Sequence, residues 1–259
     1  MRDILEKLAA GEISVDEAEK LLKLFLIEEV GNMARIDIGR EQRRGVPEII
    51  LAEGKTPEDV VEIATKLLEN SGRAILSRVQ KEHIEALERR SKRGSSGTMI
   101  IYEKARIVVL HTKDYQTQKT GGKIGILAAG TTDIPVAEEV RVIAEEMGCE
   151  TIAAYDVGVA GIHRLFPALR EFIEKDADVA VAVAGREGAL PSVVAGLLDI
   201  PIIAVPTSTG YGMGEKGMSA LTAMLQACAL GIAVVNIDAG VAAGTVAALI
   251  ANRIAKKAK

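Results

Sequence analysis

Two side chains in the second half of the sequence have the chemistry of a reaction centre. Glu187 sits in Gly185-Arg186-Glu187-Gly188, just after the apolar run Val179–Val183. A carboxylate there is desolvated unless it is paired, which suits it to moving a proton near neutral pH. The alternative is a charge that only complements a helix N-terminus. Cys228 lies in Met224-Leu225-Gln226-Ala227-Cys228-Ala229, ahead of Gly231. As a small core residue it is inert; as a thiolate it is a nucleophile. The pattern predicts that it ends a buried helix, where the dipole has the wrong sign to stabilise a thiolate. A nucleophilic Cys228 therefore needs a cationic ligand beside it.

Around these two lie loops made of small and polar residues. They are Gly130-Thr131-Thr132-Asp133, Asp156 to Arg164, Gly185 to Pro191, Pro206 to Glu215 and Asp238-Ala239-Gly240. Glycine and hydroxyl residues ahead of a helix offer outward amides and a favourable dipole to an anion. Gly130, Thr131 and Thr132, and the stretch Thr207, Ser208, Gly210, Gly212 to Gly214, are thus candidate phosphate cradles. No Walker lysine follows them and no GxGxxG opens a helix, which disfavours ordinary P-loop and Rossmann sites. Tight turns that need glycine explain each loop equally well when taken singly. Asp133 and Asp156 could hold ribose hydroxyls or a divalent cation, or cap helices. His163, the one histidine after residue 120, could contact phosphate together with Arg164, or be structural.

These loops need elements to carry them. After residue 120 apolar strands alternate with helices: strands at Ile124–Ala128, Thr151–Tyr155, Val179–Val183, Ile202–Val205 and Ala233–Ile237, and helices at Val136–Met147, His163–Lys175, Leu190–Leu198, Met218–Ala229 and Val241–Lys256. Strands apolar at every position are buried on both faces, so they predict a parallel sheet in a three-layer α/β sandwich. Ligands then bind at the carboxyl edge. Five βα units are too few for a TIM barrel. The first part predicts a smaller α+β domain. Ser14-Val15-Asp16-Glu17 is a capping box ahead of a helix to about Phe25, and Thr56-Pro57-Glu58-Asp59 starts a helix to about Asn70. Strands are expected at Ala34–Ile38, Ala74–Ser77 and Arg106–Leu110, a helix at Lys81–Arg90, and a loop tip at Ser91–Thr98.

Composition separates the same two parts. Residues 1–120 hold 21 Lys/Arg and 21 Asp/Glu, so the net charge of −4 comes wholly from the rest, and glycine divides 8 to 17. The expected boundary falls in Lys113–Lys123, giving domains 1–120 and 121–259. Over the 259 residues, 48% are hydrophobic, 26% charged and 3% aromatic, with no Trp. Disorder and collagen are excluded. No basic footprint or aromatic platform points to nucleic acid. Two cysteines make no disulfide framework, and the N-terminus lacks the apolar core of a signal peptide, so a cytoplasmic protein without a membrane span is expected.

The loops, quoted together, resemble one family. Ala128–Glu139, Asp156–Arg164, Glu187–Val194, Val205–Gly212, and Cys228 with Val235–Asp238 are similar to LarB, the pyridinium-3,5-biscarboxylic acid mononucleotide synthase of nickel-pincer cofactor biosynthesis. Its second domain is similar to PurE, the aminoimidazole ribonucleotide carboxylase/mutase. Ile36-Asp37, Arg40, Arg43-Arg44-Gly45, Pro47-Glu48 and Gly54–Pro57 resemble the LarB N-terminal domain. The resemblance implies a PurE-like (flavodoxin-like) fold and carboxylation of nicotinic acid adenine dinucleotide at ring C5 by CO2. Phosphoanhydride hydrolysis then releases AMP. It implies Cys228 as nucleophile and Glu187 as essential acid. It further implies Mg2+, with Asp133 as a candidate ligand, no organic cofactor, and a homo-oligomer, an octamer as in PurE. Arg40, Arg43 and Arg44 could clamp a carboxylate or diphosphate, or form a solvated basic face. A PurE carries a catalytic His in its glycine-rich loops, where this chain offers Glu187. A PurE-like mutase and a non-catalytic nucleotide-binding module are the alternatives.

Overall fold

A computed structural model describes residues 2–22, 27–30, 34–92, 97–210 and 212–257. The chain divides into two compact units, one of residues 1–101 with 107–116, the other of residues 102–106 with 117–259. The short turn Tyr102–Arg106, expected in the first domain, belongs to the second unit. There the Arg141 guanidinium lies over the Tyr102 ring, 5.7 Å from its centroid.

The first unit opens with α1 (Arg2–Ala9) and α2 (Val15–Leu22). The capping box at α2 forms: the Ser14 amide donates to Glu17 Oε2 at 2.9 Å and the Glu17 amide donates to Ser14 Oγ at 3.2 Å. The expected end of this helix, residues 23–25, lies outside the described residues. A pair of antiparallel strands follows, β1 (Ile27–Val30) and β2 (Ala34–Asp37), then a short helix α3 (Arg40–Arg44). A four-stranded sheet comprises β3 (Ile49–Leu51), β4 (Arg73–Ser77), β5 (Gly97–Tyr102) and β6 (Ile107–Thr112), in the order β3-β4-β6-β5. It is covered by α4 (Pro57–Ser71) and joined by α5 (Lys81–Ser91). Thr56 caps α4 by accepting from the Asp59 amide at 3.2 Å, with Pro57 in the first turn, and Gly72 closes it in the left-handed region. Val60, Ile63, Ala64 and Leu67 of α4 pack on Ala74, Leu76 and Val108. Four elements here were not anticipated: β1, α3, β3 and β5. The expected loop tip Ser91–Thr98 closes α5 at one end and opens β5 at the other, with 93–96 outside the described residues.

The second unit is a five-stranded, wholly parallel sheet: β7 (Lys123–Ala128), β8 (Glu150–Ala154), β9 (Val179–Ala184), β10 (Ile202–Pro206) and β11 (Ile232–Val234). The spatial order is β8-β7-β9-β10-β11. Taken by rank within this unit that is 2-1-3-4-5, the flavodoxin-like order, whose switch point lies between β7 and β9. Helices α6 (Ile134–Glu146) and α10 (Gly240–Lys257) cover one face; α7 (Leu165–Glu174), α8 (Leu190–Ala195) and α9 (Met218–Leu225) cover the other. Every residue of β9 is buried, as a central strand requires. Gly125 in β7 is there to admit the Phe172 ring of α7: a Cβ would stand 2.3 Å from it.

Two elements end earlier than their apolar patterns predict. β11 stops at Val234 rather than Ile237. Its ladder partner reaches Pro206, which has no N–H for the next rung. α9 stops at Leu225 rather than Ala229, so Cys228 lies in the loop beyond it.

Candidate active site

At the carboxyl edge of the parallel sheet is a cleft of about 350 Å³. Its lining comes from the loops that follow β7, β8, β9 and β10, and it includes Gly130, Thr132, Asp133, Gly158, Gly185, Arg186, Glu187, Thr209 and Gly210. Strands β7 and β9 diverge here at the switch point, and no crossover connection covers the gap between them. The topology therefore opens the cleft before any side chain is considered.

Asp133 is the hub of the cleft floor. It is 4% exposed and accepts three hydrogen bonds. Thr207 Oγ1 and Thr209 Oγ1 donate to its Oδ1 at 2.6 and 2.8 Å, and the Gly130 amide donates to its Oδ2 at 2.9 Å. One carboxylate thus ties the loop after β7 to the loop after β10. Gly185 makes the joint possible: a Cβ there would meet Thr209 Oγ1 at 2.3 Å and Thr207 Oγ1 at 2.6 Å. Of the roles expected for Asp133, the structure shows the cap, its bond to the Gly130 amide, and adds the two threonine donors; the carboxylate lies in the cleft lining. Thr207, expected to touch substrate, is fully buried and serves the same latch.

The other expected residues divide. Gly130, Thr132, Gly185, Glu187 and Gly210 line the cleft; exposed Thr131 adjoins it. Ser208 is exposed, and its amide donates to Asp238 Oδ1 at 2.8 Å, which joins the loops after β10 and β11. Gly212 is exposed with φ 67°, and Tyr211 lies outside the described residues. Asp156 forms an ion pair with Arg164 on the surface beside the cleft, and His163 is exposed; none of the three is among the lining residues. In the first unit Arg40 pairs with Glu48 at 3.0 Å and Arg43 pairs with Asp37. Two of the three arginines expected to clamp an anion are thus engaged with carboxylates of their own unit; Arg44 is exposed.

Glu187 is exposed at the rim, which corrects the expectation of a desolvated carboxylate. Cys228 is exposed too, so the inert-core alternative fails. Its position is the larger correction. It lies three residues before Gly231, whose carbonyl accepts from the Ile202 amide at the amino end of β10. Glu187 follows the carboxyl end of β9. A five-residue strand rises roughly 17 Å, so within one chain the thiol and the carboxylate belong to opposite edges of the sheet. The other cysteine, Cys149, is fully buried and donates to Asn252 Oδ1 at 3.1 Å. Burial pushes its thiol up to about 11.

Two lining residues with polar side chains were not singled out by sequence, Arg186 and Thr209. Thr209 had a usable signal: in an extended segment residues 207 and 209 share a side, and 208 takes the other.

Comparison with known proteins follows the same division into two parts. Residues 27–113 match the model of the LarB/PurE-like N-terminal domain, and residues 123–259 match that of AIR carboxylase. An uncharacterized protein of Methanocaldococcus jannaschii is 47% identical over 253 residues, which is 97% of this chain and 96% of that one. The chain belongs to the LarB family. LarB proteins of this build join their own N-terminal domain to a PurE-like sheet, and the second part is accordingly similar to shorter proteins. An N5-carboxyaminoimidazole ribonucleotide mutase of the same archaeon is 35% identical over 140 residues, 52% of this chain and 84% of that one. The mutase of Thermotoga maritima is 26% identical over 143 residues, 53% and 81% respectively. This LarB-family chain is an enzyme of the LarB/PurE class. Among the described residues no helix is long and apolar enough to cross a membrane.

Proposed function

We propose that the protein carboxylates nicotinic acid adenine dinucleotide at C5 of the pyridinium ring with CO2 and hydrolyses the phosphoanhydride, releasing AMP and pyridinium-3,5-biscarboxylic acid mononucleotide. The observation that carries this is Glu187 on the rim of the switch-point cleft, in a chain that also exposes the Cys228 thiol. A pyridinium ring is too electron-poor to attack CO2. Addition of the Cys228 thiolate at C4 forms a C–S bond, sends an electron pair to the ring nitrogen and leaves an enamine that is nucleophilic at C5. C5 attacks CO2 and a C–C bond forms. Glu187 takes the C5 proton, the C–S bond breaks, and aromaticity returns with the thiolate released. The ring's positive charge supplies the thiolate stabilisation that no helix end offers.

Glu187 and Cys228 lie at opposite sheet edges of one chain, so the reaction requires a homo-oligomer. The Cys228 loop of one copy meets the cleft of another. Exposed Leu225 and Leu230 flank that loop and suit it to an interface. The amides of Gly130 and Thr132 and the Gly210 loop would hold phosphates. Mg2+ finds no cage here. Both Asp133 oxygens are taken, and among the described residues no three His, Cys, Asp or Glu side chains cluster.

The similarity to N5-carboxyaminoimidazole ribonucleotide mutases supports a second reading, a PurE-like mutase. Against it, His163 is not among the residues that line the cleft. Incubation with nicotinic acid adenine dinucleotide and bicarbonate under CO2, with Mg2+ in the buffer, separates the two. AMP with a 44 Da gain on the pyridine nucleotide supports the proposal. Consumption of carboxyaminoimidazole ribonucleotide alone would replace it.

A further inference from the structure

The backbone at the carboxyl edge departs from ordinary conformations at a small set of places, and they share a rule. Asp156, Arg186, Lys216 and Asp238 lie in the loops after β8, β9, β10 and β11, and each has φ between 51° and 60°. That left-handed region is where glycine is comfortable and a side chain is strained. Asp156 and Asp238 each put a side chain to use from that position: Asp156 pairs with Arg164, and Asp238 accepts from the Ser208 amide. Asp is among the residues that tolerate this region; a long cationic side chain adopts it at a cost, as Arg78, Arg106 and Lys216 also do. Glycine would serve the turn at Arg186, since the two residues beside it on either hand include Gly185 and Gly188, the latter already at φ 62°. The Arg186 amide donates to the Thr209 carbonyl at 3.2 Å and the Gly188 amide to Gly185 at 2.9 Å, so the backbone is held in this shape by bonds that any residue could make. What arginine adds is its side chain, which is exposed and lines the cleft next to Glu187. Among the described lining residues it is the one cation, facing a wall otherwise made of glycine, alanine, threonine, Val159, Leu190 and two carboxylates. Arg78 and Arg106 share this conformation but do not line the cleft, so what singles out Arg186 is its place in the cleft wall.

We propose that Arg186 is a substrate-binding residue that recognises an oxyanion of the pyridine dinucleotide, and that it is the cleft's charge-selecting group. This rests on the reading above for the ligand's identity, and on the geometry alone for the role of the residue. A guanidinium offers paired donors that match a carboxylate or a phosphate and do not match a neutral amide.

The test titrates nicotinic acid adenine dinucleotide and nicotinamide adenine dinucleotide into wild type, Arg186→Met and Arg186→Lys. Loss of a charge-assisted contact is expected to weaken binding of the acid by about 10-fold or more, with partial recovery in the lysine variant. Weakening confined to the acid identifies the ring carboxylate as the oxyanion; equal weakening of both ligands identifies a phosphate. KM should rise while kcat is largely kept. Arg186→Gly should show an equal or higher Tm with the same loss of affinity, because it relieves the backbone while removing the cation. Unchanged affinity in Arg186→Met, or a Tm that drops in Arg186→Gly with affinity intact, overturns the proposal. Failure of the dinucleotide reading shows separately, as a wild type that releases no AMP and gains no carboxylate. Ribose 5-phosphate then serves as the probe: weaker binding to Arg186→Met upholds the role of Arg186, and equal binding ends it.

Discussion

The carboxyl and amino edges of the parallel sheet obey opposite rules. At the carboxyl edge polar groups bond to one another across loops: Asp133 gathers Thr207, Thr209 and Gly130, Asp238 holds Ser208, and glycine lets the loops touch. At the amino edge, beyond α9, apolar groups are exposed. Leu225 is 65% and Leu230 90% accessible, with Cys228 between them. The first edge is finished within the chain; the second has the composition of an interface. Under the proposed mechanism, a nucleophile on the unfinished edge and a base on the finished one would make catalysis depend on assembly.

The largest effect that could break this comparison is on activity. Cys228→Ala and Glu187→Gln should each abolish carboxylation while leaving the fold intact by circular dichroism. Mixing the two variants and allowing subunits to exchange should restore part of the activity, read as labelled CO2 incorporation. No recovery would place both groups in one chain's site and remove the two-copy arrangement. Next, Leu230→Asp should lower the assembly state in light scattering and reduce turnover by about 10-fold or more, since a charge is poorly tolerated in a buried apolar contact. A smaller change is expected from Asp133→Ala, which strips one buried and two part-buried donors of their acceptor. Loss of about 3 kcal/mol is expected from urea unfolding. Asp133→Asn should cost less, because one amide oxygen can still accept.

The smallest effect contrasts the two thiols. Iodoacetamide at pH 8 should modify Cys228 and spare Cys149, scored by peptide mass. Burial raises Cys149 from an ordinary value of 9.0 to about 11. The stability that goes with its protonated form is whole below 9.0 and is lost as pH rises through about 11, a contribution of about 3 kcal/mol at most. Cys149→Ser should flatten that decline, measured as ΔG of unfolding between pH 8 and 11.

Much of the fold is legible in local signals. Thr56-Pro57-Glu58-Asp59 sets the start of α4 because cap, ring and charges act within one turn. The five βα units follow from runs such as Val179–Val183, apolar at every position. Short elements escape: β3 has only three residues between Pro47 and Gly54, too few to show a period. The end of β11 is set by Pro206, a residue on another strand. At the site, the loops and Glu187 are evident from composition, whereas Thr209 and Arg186 emerge from the shape of the turn that presents them.

Sequence by itself determined the two-part organisation, the parallel sheet and the glycine-rich edge, because apolar period, caps and turn residues act over a few positions of chain. Only the tertiary structure decided that Asp133 faces inward, that Arg40 and Arg43 are engaged, and that Cys228 lies across the sheet from Glu187. Those outcomes depend on which distant groups meet, and strand order and packing fix that.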